Sequence, residues 1–182
     1  MLWKTLSSNY LFKDTWLTMR ADVCEKPDGK IVSPYYVYEF TDWVTAVALT
    51  KEQQVILVRQ YRHALGEICL EIPGGCVDSG DADYKSACAR ELLEETGYRF
   101  EQMEFLCNTS ANPSTNNNLM HIFLATGGEK IAAQQLDHGE DIEVVLYSIQ
   151  EVKQLLRENR IIQSMHVTAL FYALERLGEL SY

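Results

Sequence analysis

A glycine turn that runs straight into a glutamate-rich helix constrains this chain more than any other feature. The stretch from Glu71 to Tyr98 reads EIPGGCVDSGDADYKSACARELLEETGY. Its last third predicts a helix over about Asp83 to Thr96 that stops at Gly97. Glu91 and Glu95 stand four residues apart and so share one face, with Glu94 crowding the same region. Like charges at that spacing destabilise a helix by roughly 0.2–0.5 kcal/mol per pair. They also fall in the final turn, where the helix dipole disfavours anions. Both local effects oppose the helix, so something cationic must compensate. Arg90 is in register to pair with Glu94, which leaves Glu91 and Glu95 available to a hard divalent ion. The ordinary meaning of such a charge run is a solvated helix face. Context argues against that meaning here, because the run follows a Val-rich strand and a Gly-Gly turn and carries an arginine in register.

A chain of 182 residues with 47% apolar content is one domain or slightly more, with ample material for a core. Its net charge of -10 and lack of a basic tail argue against nucleic acid or an anionic membrane as a partner. A polyanionic small substrate stays compatible, since bound metal can invert the local sign. No apolar run approaches the roughly 20 residues of a membrane span, and the N-terminus MLWKTLSSNYLFKD lacks a signal-peptide core. Five scattered cysteines (Cys24, Cys69, Cys76, Cys88, Cys107) without a CxxC pair read as reduced thiols in a cytoplasmic protein.

The order of elements predicts an α/β protein. Thr15–Cys24 and Ser33–Glu39 read as an N-terminal antiparallel hairpin around the turn Lys26-Pro27-Asp28-Gly29-Lys30. Thr45–Leu49 and Val55–Gln60 form a second pair, and Cys69–Ile72 feeds the Gly-Gly turn. On the helix that follows, Tyr84, Ala87, Cys88 and Leu92 are the expected inward positions. Met103–Ser110, Leu119–Thr126 and Ile142–Ser148 read as strands, and Ser148 can cap a helix over Ile149–Glu158. A last helix, Ser164–Leu177, sets Val167, Leu170, Phe171 and Leu174 on one side. The expected domain edge lies near Thr41, separating an N-terminal β region (1–40) from the main domain (41–182).

The segment from Gly75 to Tyr98 resembles the Nudix box, whose pattern is GX5EX7REUXEEXGU with U a bulky apolar residue. Arg90-Glu91-Leu92-Leu93-Glu94-Glu95-Thr96-Gly97-Tyr98 matches its C-terminal half at every specified position. The front half departs from it. Counted from Gly75, the acidic position falls on Asp81 rather than Glu, and the next spacer is one residue too long. Counted back from Arg90, Cys76 and Ala82 fall at those positions instead; a one-residue insertion in the loop or first helical turn is the preferred reading of the longer spacer, because Gly74, Gly75 and Gly80 supply flexible turn chemistry. The runs YYVYEFTDWVTAVAL and VILVRQYRHALGEICLEIPGG extend the likeness to the nucleotide-sugar branch, typified by ADP-ribose pyrophosphatases. Pro113 stands fifteen residues after Tyr98, as in that branch, whereas Ser114-Thr115-Asn116-Asn117-Asn118 replaces its acidic loop.

This resemblance implies a Nudix fold, a mixed β-sheet sandwiched between helices with an N-terminal antiparallel β extension. It implies hydrolysis of the pyrophosphate bond of a nucleoside diphosphate sugar, ADP-ribose first, with GDP-mannose or another such sugar as alternatives. Mg²⁺ would be the cofactor, with Mn²⁺ able to substitute. Glu91, Glu95, Glu140 and the Gly74 carbonyl would hold the metal, with Arg90 and Glu94 orienting them. In Asp137-His138-Gly139-Glu140-Asp141-Ile142-Glu143, Glu140 is the expected base or metal ligand and His138 an alternative base. Arg62 would clamp phosphate, with Arg59 a weaker candidate that covers the sheet edge. Trp16 would either stack on the base or serve as a core or interface residue, whereas Trp3 and Trp43 pack. A homodimer through the N-terminal region belongs to the same expectation. Two other readings stay open: a Nudix enzyme acting on dinucleoside polyphosphates, NADH or damaged nucleotides, and a regulator that senses ADP-ribose without cleaving it.

Overall fold

The computed structural model describes residues 1–180. They form two compact units, residues 1–41 with 110–119, and 42–109 with the chain from Met120 onward.

The N-terminal unit is a three-stranded antiparallel sheet rather than a hairpin, with strands β1 (Lys4–Lys13), β2 (Thr18–Glu25) and β3 (Ile31–Glu39) in that order. Every residue of β1 is exposed, so no buried-face alternation marks it in the sequence. Strand β2 begins at Thr18 and not Thr15. The Asp14 carboxylate accepts from the Trp16 and Leu17 N–H groups and closes a turn there. The expected turn after β2 is present, closed between Lys26 and Lys30 with Gly29 at φ 79°. The segment 110–119 docks beside β3. Tyr38 donates its N–H to the Thr115 carbonyl and accepts from Asn117 N–H, while Asn117 Oδ1 receives the Phe40 N–H. The Asn118 side chain bonds the Thr41 carbonyl. These asparagines pair with backbone in and just after β3.

The second unit holds an eight-stranded mixed sheet. Its central path runs β11 (Ile142–Tyr147), β5 (Val55–Arg62), β4 (Trp43–Thr50), β10 (Met120–Lys130) and β8 (Tyr98–Arg99). Strands β4 and β10 are parallel and the other pairs antiparallel. Strands β4 and β5 meet only at Ala48–Ile56 and Leu49–Val55, then part. Into that gap run β6 (Glu67–Glu71), beside β5, and β7 (Gly74–Cys76), beside β4, while β9 (Gln102–Thr109) pairs with β10. The fork places the Gly-Gly turn at the mouth of the sheet.

Both faces of this sheet are covered, which is why β4 and the first half of β5 are buried on both sides and largely apolar. One face carries helix α1 (Tyr84–Thr96), where Val44, Ala46, Ala48, Ile56 and Ala125 meet Ala87, Cys88 and Leu92. The small side chains let the helix lie close to the strands. The other face packs Val47, Leu49, Leu57 and Ile122 against α2 (Ile149–Arg157) and α3 (Ser164–Arg176). Ser148 caps α2 through a reciprocal bond pair with Glu151, a device worth about 1 kcal/mol.

Two inward assignments are corrected. Tyr84 is 42% exposed because it leaves the core to stack on His121, ring centroids 3.6 Å apart, with its hydroxyl donating to Asp42. Phe171 is exposed on α3 while Leu170 and Leu174 are buried and Val167 packs against the core.

Candidate functional site

Helix α1 begins at Asp83, whose carboxylate caps the Ser86 N–H, and ends at Gly97 with φ 75°. Its last two turns aim Glu91 and Glu95 at the Gly-Gly turn. Glu95 is 6% exposed and accepts the Gly74 N–H at 2.8 Å through Oε2. Gly75 lies so close to Glu91 that a Cβ built there would stand 2.6 Å from the Glu91 carboxylate carbon. The glycines are therefore needed for space as much as for turning.

Arg90 does more than pair with Glu94. Its Nη1 donates to Glu94 and also to Glu91, each at 2.9 Å. The Nε and Nη2 atoms fork onto both oxygens of Asp81 at 3.1 and 2.9 Å, and Nη2 also reaches the Cys76 carbonyl at 3.0 Å. All five guanidinium N–H donors are thus occupied. The unusual front of the motif acquires a physical meaning here. Asp81 is one methylene shorter than Glu, and the longer spacer compensates by letting it reach Arg90. The Asp81 carboxyl is accordingly held below its usual range, with Arg90 the main cause.

Electrostatics single out the two helix carboxylates. Burial pushes Glu91 from 4.5 up to about 7, opposed by Arg90 and reinforced by Glu94 and Glu140. Burial pushes Glu95 up to about 8, opposed by the Gly74 hydrogen bond and reinforced by Glu91 and Glu140. Glu140 is therefore within electrostatic reach of both, although it sits on the loop before β11. Its Oε2 accepts the Asp137 N–H at 3.1 Å. His138 is exposed on the same loop.

Arg62 lies at the end of β5 and is gripped by Glu71, Nε to Oε1 at 3.0 Å and Nη2 to Oε2 at 2.5 Å. The sequence analysis did not single out Glu71. Strand register sets Glu67, not Glu71, directly opposite Arg62, so side-chain reach along β6 decides the partner. The signal available in the sequence was an acid inside the apolar run Ile68–Ile72, and in the structure it is only 4% exposed. Arg62 also feels the Glu95 charge. Strand alternation turns Arg59 to the opposite face, where it pairs with Glu143 at 3.3 Å. Arg59 is not brought to the carboxylates. Trp16 and Pro113 belong to the N-terminal unit. Trp16 is 86% exposed, which excludes a core role within the chain, and Pro113 lies in the exposed turn Asn112–Thr115.

The donor set suits a hard divalent cation. Burial disfavours the charge of Glu95 and, in part, of half-buried Glu91, a third acid adds to the strain, and Arg90 has no donor left over. Among the described residues, no three His, Cys, Asp or Glu side chains already form a metal cage.

Comparison with known proteins gives this arrangement its context. Residues 40–166 match the NUDIX domain family. The chain belongs to the Nudix family. Residues 3–38, ahead of the Nudix domain, match the family described as nucleoside diphosphate sugar hydrolase N-terminal domain. The chain is 32% identical over 170 residues to the methanol dehydrogenase activator of Bacillus methanolicus, spanning 93% of this chain and 91% of that protein. It is 26% identical over 173 residues to the ADP-ribose pyrophosphatase of Bacillus subtilis, again spanning 93% and 91%. A crystal structure of an ADP compounds hydrolase superposes with a TM-score of 0.85 at 23% identity, covering 99% of this chain and 98% of that one. That likeness concerns the Nudix fold, with its mixed sheet between helices and antiparallel N-terminal strands. The chain is a Nudix hydrolase. No helix among the described residues is long and apolar enough to cross a membrane.

Proposed function

We propose that this Nudix hydrolase cleaves the pyrophosphate bond of nucleoside diphosphate sugars in a Mg²⁺-dependent reaction, with Mn²⁺ able to substitute. ADP-ribose is the first choice, giving AMP and ribose 5-phosphate, and GDP-mannose is the next sugar to test. The observation that carries the reading is the pair of carboxylates, half-buried Glu91 and buried Glu95, pressed against the Gly-Gly turn with Glu140 in reach. The match of residues 3–38 to an N-terminal domain of nucleoside diphosphate sugar hydrolases supports the substrate class.

Glu91, Glu95, Glu140 and the Gly74 carbonyl would hold the metal. When bound, it neutralises diphosphate charge and makes water a better nucleophile at neutral pH. Arg90 and Glu94 fix the rotamer of Glu91. Arg62 presents to phosphate the N–H groups that Glu71 leaves free. Glu140 accepts the proton of the attacking water, with His138 on the same loop as the alternative base. Trp16 offers an exposed indole to the nucleobase, and stacking of that kind is worth about 1–3 kcal/mol per base. Pro113 shapes the turn beside β3. Residues 1–40 form a dimerisation region ahead of a hydrolase domain at 41–182, and the half-exposed Leu6, Tyr10, Leu11 and Phe12 on β1 supply apolar area for a homodimer. The protein works in the cytoplasm, in keeping with its five thiols and absence of disulfides.

A second reading has one observation behind it. The Bacillus methanolicus relative is named as an activator of another enzyme, which suits a regulator that binds ADP-ribose without cleaving it. The presence of both Glu91 and Glu95 favours cleavage. A panel of ADP-ribose, GDP-mannose, UDP-glucose, NADH and diadenosine polyphosphate, assayed with and without Mg²⁺, separates the readings. Glu95→Gln is the matched control, because its amide oxygen still accepts the Gly74 N–H and keeps the fold. Turnover should vanish in that variant at unchanged melting temperature. Activity near wild type would refute the metal assignment.

A further inference from the structure

Gln134 carries no charge and belongs to no motif, yet its side chain joins two parts of the site. Its Nε2 donates to the Glu95 carbonyl at 2.7 Å and to the Ile142 carbonyl at 2.9 Å. A carboxamide nitrogen has two hydrogens, so both are used. The first acceptor lies in the last turn of α1, where carbonyls have no partner within the helix. The chain after β10 serves that helix end throughout. Gln135 N–H bonds the Glu94 carbonyl at 2.8 Å, and the Ile131 and Ala132 N–H groups bond the Gly97 carbonyl. The second acceptor opens β11, where Ile142 pairs with Gln60 of β5, two residues after Glu140.

One side chain therefore ties the backbone of Glu95 to the backbone just beyond Glu140. Few other bonds hold the Glu140 loop. Residues 137–139 and Asp141 are exposed, and the bonds between Asp137 and Glu140 are internal to the loop. An internally bonded loop can still swing as a body, whereas a double donor anchored on α1 and β11 resists that swing.

We propose that Gln134 is a positioning residue that sets the approach of Glu140 to Glu95, and through it the joint action of the site's acids on a diphosphate. The proposal rests on the reading of Glu95 and Glu140 as working acids. Gln134 touches neither substrate nor metal in this scheme.

Gln134→Met tests it by removing both donors at nearly constant length. Three readouts are needed: hydrogen–deuterium exchange of residues 136–142, Mn²⁺ binding followed by the signal of free Mn²⁺, and steady-state hydrolysis of ADP-ribose. Loss of a partner that orients a metal-binding group costs about 10–100-fold in affinity or activity. The variant should exchange its 137–141 amides several-fold faster, bind Mn²⁺ about tenfold more weakly and lose about tenfold in kcat with KM little changed. On a Glu140→Gln background the same substitution should add less than about twofold, because its effect runs through Glu140. Gln135→Met, whose contribution is a backbone bond, should change none of these. Unaltered exchange in the loop, or a full additional loss on the Glu140→Gln background, overturns the proposal. If the wild type cleaves none of the sugars tested, the substrate reading fails, but exchange and Mn²⁺ binding still decide the role of Gln134. If Gln134→Met does not fold, Gln134→Leu replaces it, with the same three readouts expected, and unaltered loop exchange in that variant overturns the proposal.

Discussion

Gly75→Ala should separate activity from stability at a single methyl group. A Cβ at residue 75 would lie 2.6 Å from both Cδ and Oε2 of Glu91 and 2.7 Å from Oε1. Ordinary contact begins near 3.4 Å, so the carboxylate must retreat by about 0.8 Å. It sits at the end of a flexible side chain, so the retreat costs about 0.5–1.5 kcal/mol of rotamer strain. Part of that is offset by the smaller unfolded-state entropy of alanine, about 0.4–1 kcal/mol. For a chain of this size 1 kcal/mol moves the melting temperature by about 2–4 °C, so the net shift should stay within about 5 °C. Catalysis is far less tolerant, since a displacement near 1 Å can cost about a hundredfold. The assay is Mg²⁺-dependent hydrolysis of ADP-ribose beside a thermal melt. The expected result is kcat/KM down by about a hundredfold in a protein that melts normally. Gly74→Ala is the contrast, because its Cβ would collide with the Val44 carbonyl and stand 2.6 Å from Thr45 Cα. Backbone cannot step aside, so that variant should lose its fold. Gly75→Ala with wild-type activity would refute the claim that Glu91 must stand where the glycine leaves it. Failure of Gly75→Ala to fold would refute the claim that the side chain absorbs the clash.

The remaining predictions concern charge and exposure. Arg62→Met strands the buried Glu71 carboxylate and should cost about 2–4 kcal/mol, whereas Arg62→Met/Glu71→Gln should recover most of that stability without recovering hydrolysis; denaturant melts of the three proteins check the ordering. In metal-free protein, Glu91 and Glu95 have folded pKa values of about 7 and about 8 against an ordinary 4.5, so the native state holds more protons between those limits. Their contribution is fully present below pH 4.5 and is lost as pH rises through 7 to 8. With EDTA the melting temperature should therefore fall across that window, and Mg²⁺ should restore more of it at pH 8.5 than at pH 5.5; equal metal stabilisation at both values would count against the site. Trp16→Ala should leave the melting temperature unchanged, given 86% exposure, while raising KM for ADP-ribose by about tenfold or more; an unchanged KM removes Trp16 from base recognition.

What was legible in the sequence followed from how local the controlling physics is. The α1 span, its Gly97 stop and the Ser148 cap of α2 are decided within four residues of chain, and the sequence places them within a residue. Strand β1 was not legible because all ten of its residues are exposed, so no alternation of burial was imposed on them. Tyr84 has the spacing of a core position, but the periodicity of a helix says nothing about an aspartate just before β4 and a histidine on β10 that meet it. The carboxylate cluster shows the same limit more sharply. Glu91, Glu94 and Glu95 announce an unbalanced charge from helix spacing alone, and Arg90 can be assigned to relieve it. The extent of that relief is a tertiary matter. Asp81 takes two of the five donors of Arg90, and the Cys76 carbonyl takes another, so only two reach Glu91 and Glu94. Among the described residues no arginine donates a hydrogen bond to Glu95, which accepts one backbone N–H while Glu140 adds negative charge nearby. The departure at the front of the Nudix box thus consumes cationic capacity that helix spacing alone assigns to the glutamates. Below about pH 8 a proton can neutralise Glu95, and above it the charge is left for a divalent ion to balance.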